Sequence, residues 1–142
     1  MSVYADTSLL ASLYFPDAHS AEAARRIEQL PLPVLITPLG ELELVNAGQL
    51  RLFRKEVRPA EARAAHAAFR VDLRNGVFAM RALPEEVFVR AMQLASKWTA
   101  NLGTRSLDIL HVAAAIALRV DSFHSFDERQ RKLAKAAGLV VV

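Results

Sequence analysis

Short apolar runs alternate with longer amphipathic segments along the whole chain. The short runs, rich in Val, Leu, Ile and Phe, predict five strands, whereas apolar residues spaced three or four positions apart predict seven helices. The strands fall at residues 3–5, 34–36, 77–80, 122–126 and 139–142, and the helices at 7–13, 16–30, 38–55, 59–74, 84–102, 106–120 and 127–137. Strands separated by helices favour a parallel sheet with helices on both faces, so we expect one α/β domain over residues 1–142.

The composition narrows the class of protein. The 142 residues are 53% hydrophobic and 23% charged, as in an ordinary globular domain. The chain contains no cysteine, which excludes disulfides, thiol catalysis and zinc sites with cysteine ligands, and which fits a cytoplasmic protein. No apolar run is long enough to span a bilayer, and Asp6 interrupts the apolar N-terminus, so no signal peptide is expected. We therefore predict a soluble domain with no membrane partner.

The excess of basic residues favours a polyanionic partner. Eighteen Lys and Arg residues against 15 Asp and Glu residues give a formal net charge of +3 and a pI near 9.7. A basic domain is attracted to the phosphates of nucleic acid. Fourteen of the eighteen basic residues are Arg and 25 residues are Ala, a bias that a GC-rich genome also produces. The charge alone therefore leaves both explanations open.

Two acidic residues directly follow predicted strands. Asp6 comes after the first strand and Asp127 after the fourth. Ligand sites of parallel sheets form outside the carboxyl ends of the strands, so both carboxylates stand where chemistry is expected. Each residue also precedes a predicted helix and suits an N-cap, so capping is the alternative role for both.

Two further acidic residues lie on apolar helix faces. At about 100° per residue, Glu43 shares its face with Leu39 and Leu50, and Asp108 lies in a helix that is apolar nearly all round. An ionised carboxylate in such a place requires a partner, because an unpaired buried charge is strongly destabilising. Either a bound cation or an arginine side chain would neutralise the charge of Asp108, and Arg105 is the nearest arginine in the sequence.

Convergence of these four carboxylates would require a bound cation to offset their repulsion. Oxygen ligands without nearby cysteine or paired histidine favour Mg²⁺ or Mn²⁺ over zinc. Carboxylate metal sites of this kind support the hydrolysis of phosphate esters. Once the four acids are set aside, 18 basic residues remain against 11 acidic ones, so an acidic pocket would lie on a basic surface. The pattern favours a metal-dependent nuclease.

The same residues carry a resemblance to a known family. Four segments, in the expected order over essentially the whole chain, resemble the acidic motifs of PIN-domain ribonucleases, and most closely those of small VapC-like toxins of type II toxin–antitoxin systems. Each motif is weak alone, but four in order at suitable spacing are specific. The segments are Asp6-Thr7-Ser8-Leu9-Leu10, Glu43-Leu44-Val45-Asn46-Ala47, Leu107-Asp108-Ile109-Leu110-His111-Val112-Ala113 and Ser125-Phe126-Asp127-Glu128-Arg129-Gln130.

The resemblance implies a PIN-like three-layer α/β/α fold, with a five-stranded, mostly parallel sheet flanked by helices. It implies a Mg²⁺-dependent endoribonuclease, with Mn²⁺ as a plausible substitute, in which a metal-activated water attacks the phosphorus. By the same resemblance Asp6 and Asp108 are the firmest metal ligands, Glu43 orients the water or ligates directly, and Asp127 completes the site. A homodimer and inhibition by a protein antitoxin are further implications.

Other polar residues lie in or directly after these motifs. Ser8 and Ser125 stand at hydroxyl positions of the family, where Thr is frequent at the second, and we expect them to support the acidic site. His111 follows Asp108 by one helical turn, and it is either a general base or, as we prefer, a packed and hydrogen-bonded core histidine. The basic residues after Asp127 either contact RNA phosphates or form a solvated helix face; they are Arg129, Arg131, Lys132 and Lys135.

Two alternatives to the toxin hypothesis stay open. One is a PIN-like fold that binds RNA or protein without cutting, and the other is a PIN nuclease of RNA processing that has no antitoxin. The complete acidic set favours a nuclease over the binding module. Val45 and Leu52 lie opposite Glu43, so that helix is apolar on two sides and favours a dimer or partner surface.

Overall fold

Four short strands form one parallel sheet at the centre of the molecule. A computed structural model describes all residues from 1 to 142. The strands are β1 (Val3–Ala5), β2 (Val34–Ile36), β3 (Phe78–Met80) and β4 (Ser122–His124), and their order across the sheet is β3-β2-β1-β4. Every neighbouring pair is parallel, which confirms the predicted α/β class.

Eight α-helices connect or follow the strands. They are α1 (Thr7–Tyr14), α2 (Ser20–Gln29), α3 (Pro38–Phe53), α4 (Pro59–Arg74), α5 (Val87–Leu94), α6 (Ala100–Leu102), α7 (Ser106–Ala117) and α8 (Glu128–Ala136). The single helix predicted at 84–102 is α5 and α6 joined by a π-helical turn at Ala95–Thr99. None of the helices has both the length and the apolar character that a membrane crossing requires.

The helix ends follow from the local sequence. Asp6 and Asp127 cap α1 and α8 through their side chains, because each carboxylate accepts a hydrogen bond from a backbone N–H of the first turn. Pro38 and Pro59 occupy the first positions of α3 and α4, where a missing N–H costs no hydrogen bond. Gly103 ends α6 in the left-handed region, with a φ of 65°.

The predicted fifth strand at 139–142 is wrong. Only Val141 pairs with the sheet, through one parallel bridge to Phe123 in which Phe123 donates to the carbonyl of Val140 and accepts from Val142. The partner strand β4 is three residues long, because the N–H groups of Phe126 and Asp127 donate to serine hydroxyls instead of extending the ladder. The sheet therefore has four strands, and the chain end covers its edge with a single bridge.

The sheet separates two apolar cores, which gives the three-layer arrangement. Side chains of a strand alternate between faces, so Val3 and Ala5 of β1 pack on one side with α1, α2, α3 and α4. Tyr4 points to the other side, where it stacks on Phe123 and packs with residues of α5, α7 and α8. Alternation along β1 thus confirms that helices cover both faces.

Candidate functional site

Asp6 and Asp127 lie at the same edge of the sheet. Their strands β1 and β4 are paired along their full length, and the backbone N–H of Asp6 donates to the carbonyl of His124 at 3.1 Å. The two residues also cap helices, with Leu9 N–H 3.2 Å from Asp6 and Gln130 N–H 3.0 Å from Asp127. The capping role and the placement at the carboxyl edge therefore hold together for both acids.

Asp6 is a fully buried carboxylate without a cationic partner. It is 0% exposed, and its oxygens accept hydrogen bonds of 2.6 Å from the hydroxyls of Ser8 and Ser125. Burial raises the pKa of Asp6 above its usual range, and these hydrogen bonds, together with the one from the Leu9 N–H, offset only part of that increase. A positive charge placed at this carboxylate would relieve the cost of its burial.

Asp108 is also buried, but it has an arginine partner. It is 3% exposed, and it accepts hydrogen bonds from the guanidinium of Arg105 at 3.0 and 3.3 Å and from Gln130 Nε2 at 3.2 Å. The same guanidinium lies 3.6 Å from Asp127 Oδ2. The hydrogen bond and charge of Asp108 are the main reasons that the pKa of Arg105 is raised. The arginine expected as the alternative to a metal is thus present beside Asp108.

Glu43 reaches the site from α3 and is held by two other side chains. Its Oε1 accepts a hydrogen bond of 2.8 Å from Thr7 Oγ1 and lies 2.5 Å from His111 Nε2. Burial raises the pKa of Glu43, but the hydrogen bonds from His111 and Thr7, together with the charge of Arg105, outweigh the effect of burial. The pKa of Glu43 therefore lies below its ordinary value, and its carboxylate is ionised at neutral pH.

The two predicted serines link Asp6 to the loop that carries Asp127. Ser125 Oγ donates to Asp6 and accepts from the backbone N–H of Asp127 at 2.9 Å. Ser8 Oγ donates to the other oxygen of Asp6 and accepts from Phe126 N–H at 2.8 Å. These two hydroxyls fix the orientation of the Asp6 carboxylate and hold the ends of β1 and β4 together.

The four acids are connected, but no three of them converge on one point. Arg105 joins Asp108 to Asp127, Ser125 joins Asp127 to Asp6, and the charge of Arg105 acts on Glu43. No group of three acidic or histidine side chains is arranged as the ligands of one ion. The donor set is nevertheless the oxygen set that Mg²⁺ prefers, and the buried Asp6 lacks a positive partner. The oxygen ligands of this site therefore suit a divalent cation such as Mg²⁺. In this structure the guanidinium of Arg105 lies between the carboxylates of Asp108 and Asp127.

Sequence reasoning missed three residues of this site. Thr7 donates a hydrogen bond to Glu43, and Gln130 donates one to Asp108. The hydroxyl of Tyr4 is hydrogen-bonded to His111 Nδ1 at 2.7 Å. Thr7 follows Asp6 directly and Gln130 is the third residue after the Asp127 cap, so both were available as neighbours of predicted acids. Tyr4 gave no such signal, because alternation along β1 only identifies it as a core residue.

The basic residues of α8 differ in what they contact. Arg129, Lys132 and Lys135 are exposed and make no hydrogen bond or ion pair with the protein. Arg131 is engaged, because its Nη1 donates to the carbonyl of Ser125 at 2.9 Å and its Nε lies 3.5 Å from Glu128. Contact with RNA stays a prediction for all of them, while Arg131 also holds the loop before Asp127.

A parallel sheet with acidic residues at its carboxyl edge, covered by helices on both faces, is the arrangement of a PIN-type domain. The model of the PIN domain family matches residues 3–136, so the chain belongs to the PIN domain family. No curated protein matches it in sequence.

Solved structures with the same fold include proteins of toxin–antitoxin systems. The toxin VapC20 of Mycobacterium tuberculosis, described as cleaving the sarcin–ricin loop, is similar with a TM-score of 0.73 and 21% identity over 98% of this chain and 97% of that one. FitAcB from Neisseria gonorrhoeae is similar with a TM-score of 0.68 and 16% identity, over 98% of this chain and 95% of that one. A toxin–antitoxin complex from Klebsiella pneumoniae is similar with a TM-score of 0.65 and 17% identity, over 100% of this chain and 96% of that one. At these identities the likeness establishes the fold.

Proposed function

We propose that the protein is a Mg²⁺-dependent endoribonuclease and the toxin of a type II toxin–antitoxin pair. The observation that carries the proposal is Asp6, a fully buried carboxylate without a cation, at the carboxyl edge of the sheet of a PIN-family chain. Asp108, Asp127 and Glu43 surround the same edge. Carboxylates whose pKa values are perturbed by burial and by specific partners, as those of Asp6 and Glu43 are, cluster at functional sites.

Asp6, Asp108 and Asp127 would hold the divalent ion, and Glu43 would orient the attacking water or ligate directly. When bound, the ion activates water as a nucleophile and neutralises the charge that develops on the phosphate. The guanidinium of Arg105 must leave Asp108 and Asp127 for these carboxylates to ligate, and its side chain, 64% exposed, has solvent to move into.

The other residues prepare the site and bind the substrate. The hydroxyls of Ser8 and Ser125 hold the Asp6 carboxylate in one orientation at the carboxyl edge of the sheet. The exposed basic side chains on α8, with Arg129 and Lys132 nearest to Asp127 in the sequence, would contact the RNA phosphates. The acidic site would then lie beside a basic helix face that attracts the backbone of RNA.

The proposed partners are a protein antitoxin and a second copy of the chain, in the cytoplasm. One of the similar solved structures, the toxin–antitoxin complex from Klebsiella pneumoniae, supports an antitoxin for this chain. The structure supplies an apolar surface beside Glu43, a groove of ≈ 460 Å³ that includes Leu42, Val45, Leu50 and Leu107. Exposed apolar side chains next to a charged site are typical of protein interfaces.

The test is cleavage of single-stranded RNA by the purified protein with Mg²⁺ or with EDTA. We expect cleavage with Mg²⁺ alone, and a loss of at least about a hundredfold in Asp6→Asn and Asp108→Asn, since removing a ligand costs several kcal/mol of transition-state stabilisation. Glu86→Gln, an exposed acid with no contact to the site, is the matched control. Cleavage that persists in the Asp6→Asn, Asp108→Asn double variant refutes the proposed site, and 2′,3′-cyclic phosphate ends refute attack by water.

The second candidate is a PIN-fold module that binds RNA without cutting it. The observation in its favour is that Asp108 already has a guanidinium partner and that no three acids converge as ligands. RNA that is retained but stays intact both with Mg²⁺ and with EDTA would favour this candidate. A PIN nuclease of RNA processing would cut with Mg²⁺ but have no antitoxin, so co-purification of a small inhibitory protein separates it from a toxin.

A further inference from the structure

We propose that His111 is a positioning residue for Glu43, fixed in one tautomer by the buried hydroxyl of Tyr4. The inference rests on the proposed function, in which Glu43 serves the metal site. It assigns roles to two fully buried residues that do not themselves contact the substrate.

A continuous line of hydrogen bonds leads from the sheet to the site. Tyr4 OH lies 2.7 Å from His111 Nδ1, and His111 Nε2 lies 2.5 Å from Glu43 Oε1. Thr7 Oγ1 lies 2.8 Å from the same Oε1 and 3.1 Å from His111 Nε2. Tyr4 belongs to β1, His111 to α7 and Glu43 to α3, so the line joins three separate elements.

The geometry selects the tautomer of the imidazole. Tyr4 OH has two neighbours, and His111 Nδ1 at 2.7 Å is closer than Thr37 Oγ1 at 3.4 Å. A neutral imidazole has one donor and one acceptor nitrogen, and the ionised carboxylate beside Nε2 can only accept, so Nε2 carries the proton and Nδ1 accepts from the Tyr4 hydroxyl. Nε2–H then donates to Glu43, which is an acceptor only. The opposite tautomer would set a bare nitrogen lone pair against a carboxylate oxygen at 2.5 Å.

The consequence for Glu43 is that one oxygen is held and the other is left free. Oε1 accepts from both His111 and Thr7, whereas Oε2 accepts no hydrogen bond from the protein. The carboxylate is thereby fixed in rotation, with Oε2 available to a ligand or a water. Outer partners of this kind orient the groups that act directly, and losing them typically costs about 10- to 100-fold in activity or metal affinity.

The first test reads the tautomer in the metal-free protein by ¹⁵N NMR of the histidine side chains. We expect His111 to be protonated at Nε2 in the parent, and the preference to weaken in Tyr4→Phe, which removes only the hydroxyl. Protonation at Nδ1 in the parent, or an unchanged tautomer balance in Tyr4→Phe, overturns the proposal. The parent measurement needs no variant to fold.

The second test compares two substitutions of His111 by RNA cleavage. A glutamine amide can place an N–H near the Nε2 position, so His111→Gln should retain most of kcat, whereas His111→Leu should lower kcat about 10- to 100-fold with KM for RNA unchanged. Equal losses in the two variants overturn the positioning role. His124→Gln is the matched control, because His124 is a second buried histidine whose only side-chain hydrogen bond is to Ser122. If the parent cuts no RNA, the proposed function fails, while the NMR result still decides the role of His111.

Discussion

Replacing Arg105 by alanine tests whether a guanidinium and a divalent ion compete for the same carboxylates. The side chain of Arg105 makes two hydrogen bonds to Asp108 and lies 3.6 Å from Asp127. Its removal leaves Asp108 with the backbone N–H of residue 105 and the amide of Gln130 as donors, and with no cation. The metal-free variant should be less stable than the parent, and it should bind Mg²⁺ more tightly.

The expected magnitude follows from the exposure of the two partners. Breaking a buried pair costs about 3–5 kcal/mol, and an exposed pair contributes about 0–1 kcal/mol. Arg105 is 64% exposed while the Asp108 side chain is 5% exposed, so the loss should be about 1–2 kcal/mol, or about 3–6 °C in Tm for a domain of this size. The same interaction opposes Mg²⁺ in the parent, so the apparent Kd for Mg²⁺ should fall about 5- to 30-fold in the variant.

The assay is thermal unfolding in EDTA and over a Mg²⁺ titration, with calorimetric titration of the metal as a second measure. Arg129→Ala is the control, since it removes the same charge from an exposed residue that makes no hydrogen bond or ion pair. The variant Arg105→Ala should start lower in Tm and gain more from Mg²⁺ than either the parent or the control. An unchanged or weaker Mg²⁺ affinity in Arg105→Ala refutes the competition between guanidinium and ion.

Three further predictions concern acid stability, packing and RNA binding. Mainly because of burial, the pKa of His124 is lowered to about 4, so between pH 6.5 and 4 the unfolded chain binds a proton that the native protein excludes. The free energy of unfolding should therefore fall by up to about 3 kcal/mol over this pH range. Urea titrations at several pH values should show a weaker pH dependence in His124→Gln. A side chain at Gly48 would place Cβ 3.1 Å from the ring of Phe15, so Gly48→Val should lower the free energy of unfolding in urea by about 1–3 kcal/mol. A parent-like midpoint would contradict the close approach of α3 to Phe15. The double variant Arg129→Ala, Lys132→Ala should reduce the salt slope of binding to single-stranded RNA by about 0.7 per lost contact, measured by fluorescence anisotropy; an unchanged slope would exclude α8 from the interface.

The layering of the fold was predictable because it depends on local pattern. Alternation along β1 assigns Val3 and Ala5 to one core and Tyr4 to the other, and the long apolar run of α7 marks a buried helix. The fifth strand was not predictable in the same way. An apolar segment at 139–142 suits a strand, but a ladder also needs a partner of sufficient length, and β4 ends at His124.

The candidate site shows the same division between local and distant causes. The apolar surroundings of Asp108 in the sequence indicated a buried carboxylate that needs a partner. They did not decide between a cation and a guanidinium, because that depends on how the N-terminus of α7 turns Arg105 back onto the carboxylate. The contact of His111 with Tyr4 was beyond the sequence altogether, since 107 residues separate the two.

The bond between Ser125 and Asp6 has a consequence for the protein while it is being synthesised. The two residues are 119 positions apart, so Asp6 leaves the ribosome long before the hydroxyl that orients it exists. The central strand β1 must likewise wait for β4, its neighbour on one side, to be translated. A nascent chain that has not been translated through Ser125 therefore has no assembled acidic site, whatever part of the N-terminal sequence has already left the ribosome.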